Sequence, residues 1–183
     1  MKLFLVRHTK PAIPGGICYG QTDIDVAEPF DRERGAILER LGNIMISQVF
    51  SSPLIRCTKL ARSFVPHYGP VIYDDRLKEF NFGNWEMKPW SEIENEPGAK
   101  EWFLDYINIP VPGGEAFADL INRVRRFTLE VQKEFDDRHI LIICHGGVIR
   151  AFDTIINGTD PLRAFDLKID FGEVLEIEMK ERI

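Results

Sequence analysis

The 183-residue chain is 44% hydrophobic and 28% charged, which suits one core covering both faces of a sheet and excludes disorder. Its formal net charge of −6 argues against nucleic-acid binding, yet a local arginine cluster can still hold a small anionic substrate within a cleft. No run approaches the ~20 apolar residues of a membrane span. Cys18, Cys57 and Cys144 stand far apart, so the chain reads as cytoplasmic, with reduced thiols and no membrane contact.

Leu3-Phe4-Leu5-Val6 is a continuous apolar run, the pattern of a parallel strand buried on both faces, and is too short for a signal peptide. It ends in Arg7-His8, and Pro11 stops a helix from starting at once. Ala12 to Asp25 is a loop rich in Pro and Gly, long enough to expect a function of it. Asp31 is placed to cap a helix reaching about Leu41, with Ile37, Leu38 and Leu41 as its apolar stripe and Gly42 as its stop. Gln48-Val49-Phe50 is a second strand. Ser52 and Pro53 read as the cap and first position of the next helix, which carries Arg56 and ends before Pro66. Its predicted buried face is Leu54, Cys57, Thr58, Ala61, Phe64 and Val65. Val71-Ile72-Tyr73 is a third strand.

From about 77 to 108 the chain becomes aromatic-rich, with short helical pieces around Ser91–Glu94 and Ala99–Tyr106. It reads as an insertion or lid over one end of the sheet, inside a single domain of residues 1–183. Pro110 to Gly114 is a turn, and Phe117, Leu120, Ile121, Val124, Phe127, Val131 and Phe135 then recur at helical spacing. Ile140 to Cys144 is another wholly apolar strand, followed by His145-Gly146-Gly147 and a helix from Val148 to Asn157 that Gly158 stops. Glu173 to Met179 alternates as an edge strand does, and such a strand can pair with a second copy, giving an expected homodimer. His67 and His139 read as exposed structural histidines. The predicted class is α/β: three layers, a mostly parallel sheet with helices on both faces, and an antiparallel edge strand.

Two buried strands thus deliver a histidine to the same edge of the sheet, where α/β proteins carry their chemistry. Phosphoryl transfer needs cations on the equatorial oxygens, an in-line nucleophile and a proton for the leaving oxygen. His8 can be the nucleophile if it is neutral, with one ring nitrogen free and the other fixed by a backbone carbonyl. Arg7 and Arg56 can clamp the phosphate as planar forks, and His145 can add a donor. Gly146 and Gly147 leave room and expose N–H groups at a helix start. Glu79 is the candidate acid, since its apolar neighbours Leu77, Phe80 and Phe82 would favour the protonated form. Without close-spaced Cys or His pairs, no metal site is expected.

R-H-T near the start, S-S-P-L-I-R-C-T-K-L-A, L-K-E-F-N-F-G-N-W-E and I-C-H-G-G-V-I-R together resemble the histidine phosphatase (phosphoglycerate mutase-like) superfamily, from Leu3 to about Phe152. The resemblance implies a phosphohistidine on His8, phosphate binding by Arg7, Arg56 and His145, proton donation by Glu79, and no metal or other cofactor. Within the superfamily, C-Y-G-Q-T-D after R-H-T-K-P is most similar to the α-ribazole phosphatases of cobalamin biosynthesis. That similarity implies removal of the 5′-phosphate of α-ribazole 5′-phosphate, with Tyr19, Gln21 and Thr22 at the entrance. The chain departs from the family pattern at Met87, where Gly is common, at Cys144 in place of Ser or Thr, and at Ala116 in place of a serine. Competing readings keep the site and change its use: a phosphoglycerate mutase, another small-molecule phosphatase, a protein phosphohistidine phosphatase, or a non-catalytic phosphate-binding protein.

Overall fold

Alternation along the first strand, β1 (Lys2–Arg7), decides how the layers assemble. Leu3 and Leu5 project to one face and Phe4 and Val6 to the other, and the two sets belong to two separate apolar clusters. The computed structural model describes residues 1–135 and 138–179; residues 136–137 and 180–183 lie outside the described residues.

On the Phe4 and Val6 face lie α1 (Phe30–Leu41), through Ile37 and Leu41, and α2 (Ile55–Arg62), through Cys57, Leu60 and Ala61. β2 (Gln48–Ser51) runs between them in the chain. A one-turn helix, α3 (Val65–Tyr68), leads into β3 (Val71–Tyr73). The opposite face is covered by α6 (Phe117–Glu134) and α7 (Gly146–Asn157), which flank β4 (His139–Cys144). Full burial of Phe117, Leu120, Val124 and Phe127 along α6 is worth roughly 1.5–3 kcal/mol per side chain. Between β3 and α6, two short helices, α4 (Trp90–Ile93) and α5 (Ala99–Leu104), bring Ile93, Ala99 and Trp102 into the same cluster as Leu3 and Leu5. Leu77, Phe80 and Trp85 join it from the preceding turns.

The five strands lie in the order β3-β2-β4-β1-β5, where β5 is Val174–Glu178. β1 pairs parallel with β4, and β2 pairs parallel with both β4 and β3; β5 runs antiparallel along the outer side of β1. This is the α/β sheet expected, with its antiparallel edge strand. Helices after β1 and β4 depart to opposite faces, so the crevice between these neighbouring strands is the switch point of the sheet.

Several local expectations change. Asp31 lies inside the first turn of α1, paired with Arg34 at 3.2 Å, and Pro29 holds the cap position. α2 begins only at Ile55, whose N–H is taken at 2.6 Å by the Asp23 carboxylate from the distant loop. Pro66 does not end helical structure, because α3 contains it; Val65 is exposed and Thr58 only half-buried. His139 is half-buried, its ring edge-on to Phe4. A 3-10 helix at Pro161–Asp166, where the sequence shows no periodicity, follows α7.

Candidate active site

Register places the site. Arg7 stands opposite Cys144 in the β1/β4 pair and Ser51 opposite Ile143 in the β2/β4 pair. The next residues, His8, His145 and Ser52, therefore emerge together. Backbone bonds continue the ladder, from His8 N–H to the Cys144 carbonyl at 3.0 Å and from Ser52 N–H to the Ile143 carbonyl at 2.9 Å. The two imidazoles meet edge to face, 5.1 Å between centroids.

His8 Nδ1 lies 2.7 Å from the Thr9 carbonyl, which can only accept, so the proton is on Nδ1 and Nε2 keeps a free lone pair. Burial, reinforced by the charge of Arg56 and then of Arg7, holds the ring well below the ordinary histidine value despite the Thr9 bond. A neutral imidazole with one unengaged lone pair is a nucleophile. His145 is pushed in the same direction by burial and by Arg56, His8, Arg123 and Arg7.

Both predicted arginines converge here. Arg56 is fully buried; its Nη1 and Nη2 donate to the carbonyls of Thr22 (2.9 Å) and Gly20 (2.6 Å), and its Nε has no partner. Arg7 donates to the Ile169 carbonyl and lies 3.9 Å from the Phe171 ring centroid, its Nε likewise unpartnered. Among the described residues neither guanidinium has a carboxylate partner. A buried cation such as Arg56, satisfied only by neutral groups, is costly unless an anion joins it. The cluster is built for one.

Glu79 shares the cleft with Arg7, and its surroundings differ from those expected. Instead of hydrocarbon, its carboxylate meets N–H donors: Phe80 at 2.9 Å and Gly147, in the first turn of α7, at 3.1 and 3.2 Å. Glycine at 147 lets the carboxylate sit there, because a Cβ would stand 2.4 Å from Oε1 and displace it. Gly146 makes similar room, since its Cβ would fall 2.9 Å from Arg150 Nη1.

A cleft of about 300 Å³ opens beside these groups. Arg7, Glu79 and Arg150 provide its charged lining, and Tyr19, Phe80, Phe82, Trp90 and Phe165 provide aromatic walls. Tyr19 lines the cleft, its ring centroid 5.1 Å from the Arg56 guanidinium carbon. Gln21 and Thr22 do not line the cleft. Their backbone N–H groups donate to the two oxygens of Glu86 at 2.8 and 2.6 Å, the Thr22 hydroxyl also bonds Glu86, and Gln21 Nε2 reaches the Glu79 carbonyl at 2.9 Å. They shape the loop, with Glu86 as its clamp.

Other residues of the site escaped sequence reasoning. Arg150 is one helical turn beyond Gly146, a spacing that could have revealed it. Phe165, in the 3-10 helix, and Phe171, in the turn before β5, gave no periodic signal. Arg123, on α6, donates to the carbonyls of Arg76 and Lys78 at 2.7 Å and of Glu79 at 2.9 Å, and to Glu115 at 2.7 and 3.1 Å. It anchors the backbone that carries Glu79. Cys144 and Cys57 are fully buried thiols, and burial pushes Cys18, on the cleft wall, up to about 12. Among the described residues no group of three or more His, Cys, Asp and Glu side chains is arranged to hold a metal ion.

Residues 3–182 match the histidine phosphatase superfamily (branch 1), so the chain belongs to that superfamily, and the activity shown at this level is that of a phosphatase. Among curated relatives, phosphoserine phosphatase 1 of Hydrogenobacter thermophilus is 27% identical, covering 100% of this chain and 88% of its own length. The adenosylcobalamin/alpha-ribazole phosphatase of Salmonella typhimurium is 28% identical, covering 81% of this chain and 76% of its own. The crystal structure of the alpha-ribazole phosphatase from Shigella flexneri superposes with a TM-score of 0.89 at 23% identity, over 100% of this chain and 92% of that one, which shows the shared fold. No helix among the described residues is long and apolar enough to cross a membrane.

Proposed function

We propose that the protein is a metal-independent phosphomonoesterase working through a phosphohistidine on His8, and that it removes the 5′-phosphate of α-ribazole 5′-phosphate. The observation that carries the chemistry is the pairing of an unprotonated His8 Nε2 with carboxylate-free Arg7 and Arg56. Nε2 attacks phosphorus while the bond to the leaving oxygen breaks, and the arginines and His145 stabilise charge on the equatorial oxygens. Glu79, at the cleft wall, donates a proton to the leaving oxygen as the ester bond breaks. Water then attacks the phosphohistidine, Glu79 takes its proton, and the P–N bond breaks to give phosphate.

The aromatic walls of the cleft support a leaving group with an aromatic base, and the loop carrying Tyr19 supports the α-ribazole assignment. Three buried, unpaired thiols support a cytoplasmic setting. A second reading, a phosphorylated hydroxy acid such as phosphoserine, is favoured by Arg150, which lines the cleft with an unpartnered Nε able to meet a carboxylate.

The test is kcat/KM for a panel containing α-ribazole 5′-phosphate, phosphoserine and 3-phosphoglycerate, without added metal. α-Ribazole 5′-phosphate is expected to lead the panel, and His8→Ala to abolish turnover. Full activity in that variant would end the phosphohistidine reading; preference for phosphoserine would replace the substrate.

A further inference from the structure

Ser52 was expected to cap α2, but Asp23 does that work, and the fully buried Ser52 hydroxyl lies 2.8 Å from His145 Nε2. We infer that Ser52 fixes the tautomer of His145: its Oγ–H donates to Nε2, which puts the ring's one proton on Nδ1, ready to donate to a phosphoryl oxygen. Ser52 is thus a positioning residue, and its role rests on the phosphatase reading above.

Hydrogen-bond satisfaction decides the direction. The hydroxyl oxygen already receives the Leu54 N–H at 3.3 Å, so its own proton needs an acceptor. His145 Nε2 is the strong acceptor in reach. The neighbouring Cys57 sulfur is a weak one, its S–H directed to the Cys144 carbonyl at 3.5 Å. Were Nε2 the donor, a buried hydroxyl proton would be left with only sulfur. Nδ1, in turn, meets no nitrogen or oxygen among the described residues, with only Cys57 Sγ at 3.9 Å.

Burial first, and then the cations around it, disfavour a charge on the ring. Arg7 and His8 lie at the end of β1, Arg56 and Cys57 on α2, Cys144 on β4 and Arg123 on α6, with Glu79 beyond Cys144. A neutral ring offers one N–H, so its position matters. On Nδ1 it meets an anion with a donor; on Nε2 it would meet that anion with a lone pair.

The experiment is 15N–1H two-bond correlation spectroscopy of the side-chain imidazoles at neutral pH, with His145→Gln assigning the signals. Wild-type His145 is expected to show a protonated Nδ1 and a bare Nε2. Ser52→Ala should populate the Nε2–H form and weaken inorganic phosphate binding by about tenfold or more, the loss expected for a hydrogen bond to a charged group. A wild-type ring protonated on Nε2 overturns the inference, as does a Ser52→Ala protein with unchanged tautomer and phosphate affinity. If Ser52→Ala does not fold, the wild-type spectrum alone decides. Both readouts use no ester, so absent hydrolysis would remove the phosphatase reading without touching the tautomer result.

Discussion

Glu79 and Gly147 are joined by one backbone N–H that lies within bonding distance of both carboxylate oxygens, at 3.1 and 3.2 Å. A Cβ on Gly147 would drive Oε1 from that position. Gly147→Ala should therefore resemble Glu79→Gln, lowering kcat on alkyl phosphates by about 10²–10⁴-fold, the usual worth of general acid catalysis. p-Nitrophenyl phosphate, whose leaving group needs no proton, should lose far less. The ratio of kcat/KM between the two substrate types checks this, and an equal loss on both would exclude Glu79 as the acid.

Acid should destabilise the unliganded protein earlier than carboxylate titration does. Burial keeps His8 and His145 neutral, so their folded pKa values lie below the ordinary value near 6.5 that they regain on unfolding. As pH falls through about 6.5, the unfolded chain binds protons that the folded chain does not, and stability declines by up to about 1.4 kcal/mol per pH unit for each group. Urea unfolding at pH 7.5 and 5.5 should show the drop, and His145→Gln should reduce it. An unchanged midpoint would contradict two neutral buried imidazoles.

Met87 is the one non-glycine residue at positive φ among the described residues, at +69°, and its N–H bonds the Cys18 carbonyl at 2.6 Å. An L-residue there bears about 1–2 kcal/mol of strain. Glycine relieves it while adding about 0.5–1 kcal/mol of unfolded-state entropy. Met87→Gly should thus gain roughly 0.5–1 kcal/mol, or about 1–4 °C in Tm. The half-exposed side chain does not line the cleft, so activity on p-nitrophenyl phosphate should persist. A fall in Tm would show that the Met87 side chain supplies compensating contacts.

Arg123 should be more sensitive than its distance from the phosphate cluster suggests. Its guanidinium joins Glu115 to the Arg76, Lys78 and Glu79 carbonyls, and the Arg123 and Glu115 side chains are only 12% and 15% exposed. Arg123→Met leaves that carboxylate without its cation and should cost about 3–5 kcal/mol in urea unfolding. Arg123→Lys should recover only part, since an ammonium cannot reproduce the planar fork.

Legibility in the sequence followed the range of the interactions concerned. β1 and β4 were readable because burial on both faces demands continuous apolar runs, and Arg7, His8 and His145 because they follow those runs directly. The resemblance to a known family then joined Arg56 and Glu79 to them. Caps were misread where the partner was remote: nothing near Ser52 announces that Asp23 will meet the Ile55 N–H. The surroundings of Glu79 were misread for the same reason, because its adjacent residues are apolar while its hydrogen-bond partner Gly147 is 68 positions away. Gln21 and Thr22 look like contacts for a ligand because their partner Glu86 stands 65 and 64 positions away in the chain.

The position of β1 between β4 and β5 has a consequence for biosynthesis. Once made, β1 cannot find either neighbouring strand until residues 139–144 and then 174–178 have been translated, which takes on the order of ten seconds at about 5–20 residues per second. Throughout that interval Leu3, Phe4, Leu5 and Val6 form an apolar ribbon with no native strand beside it. Nascent chains stalled before residue 139 should therefore bind trigger-type chaperones through this ribbon, and arrested chains should gain their first phosphate affinity only once β4 has been released.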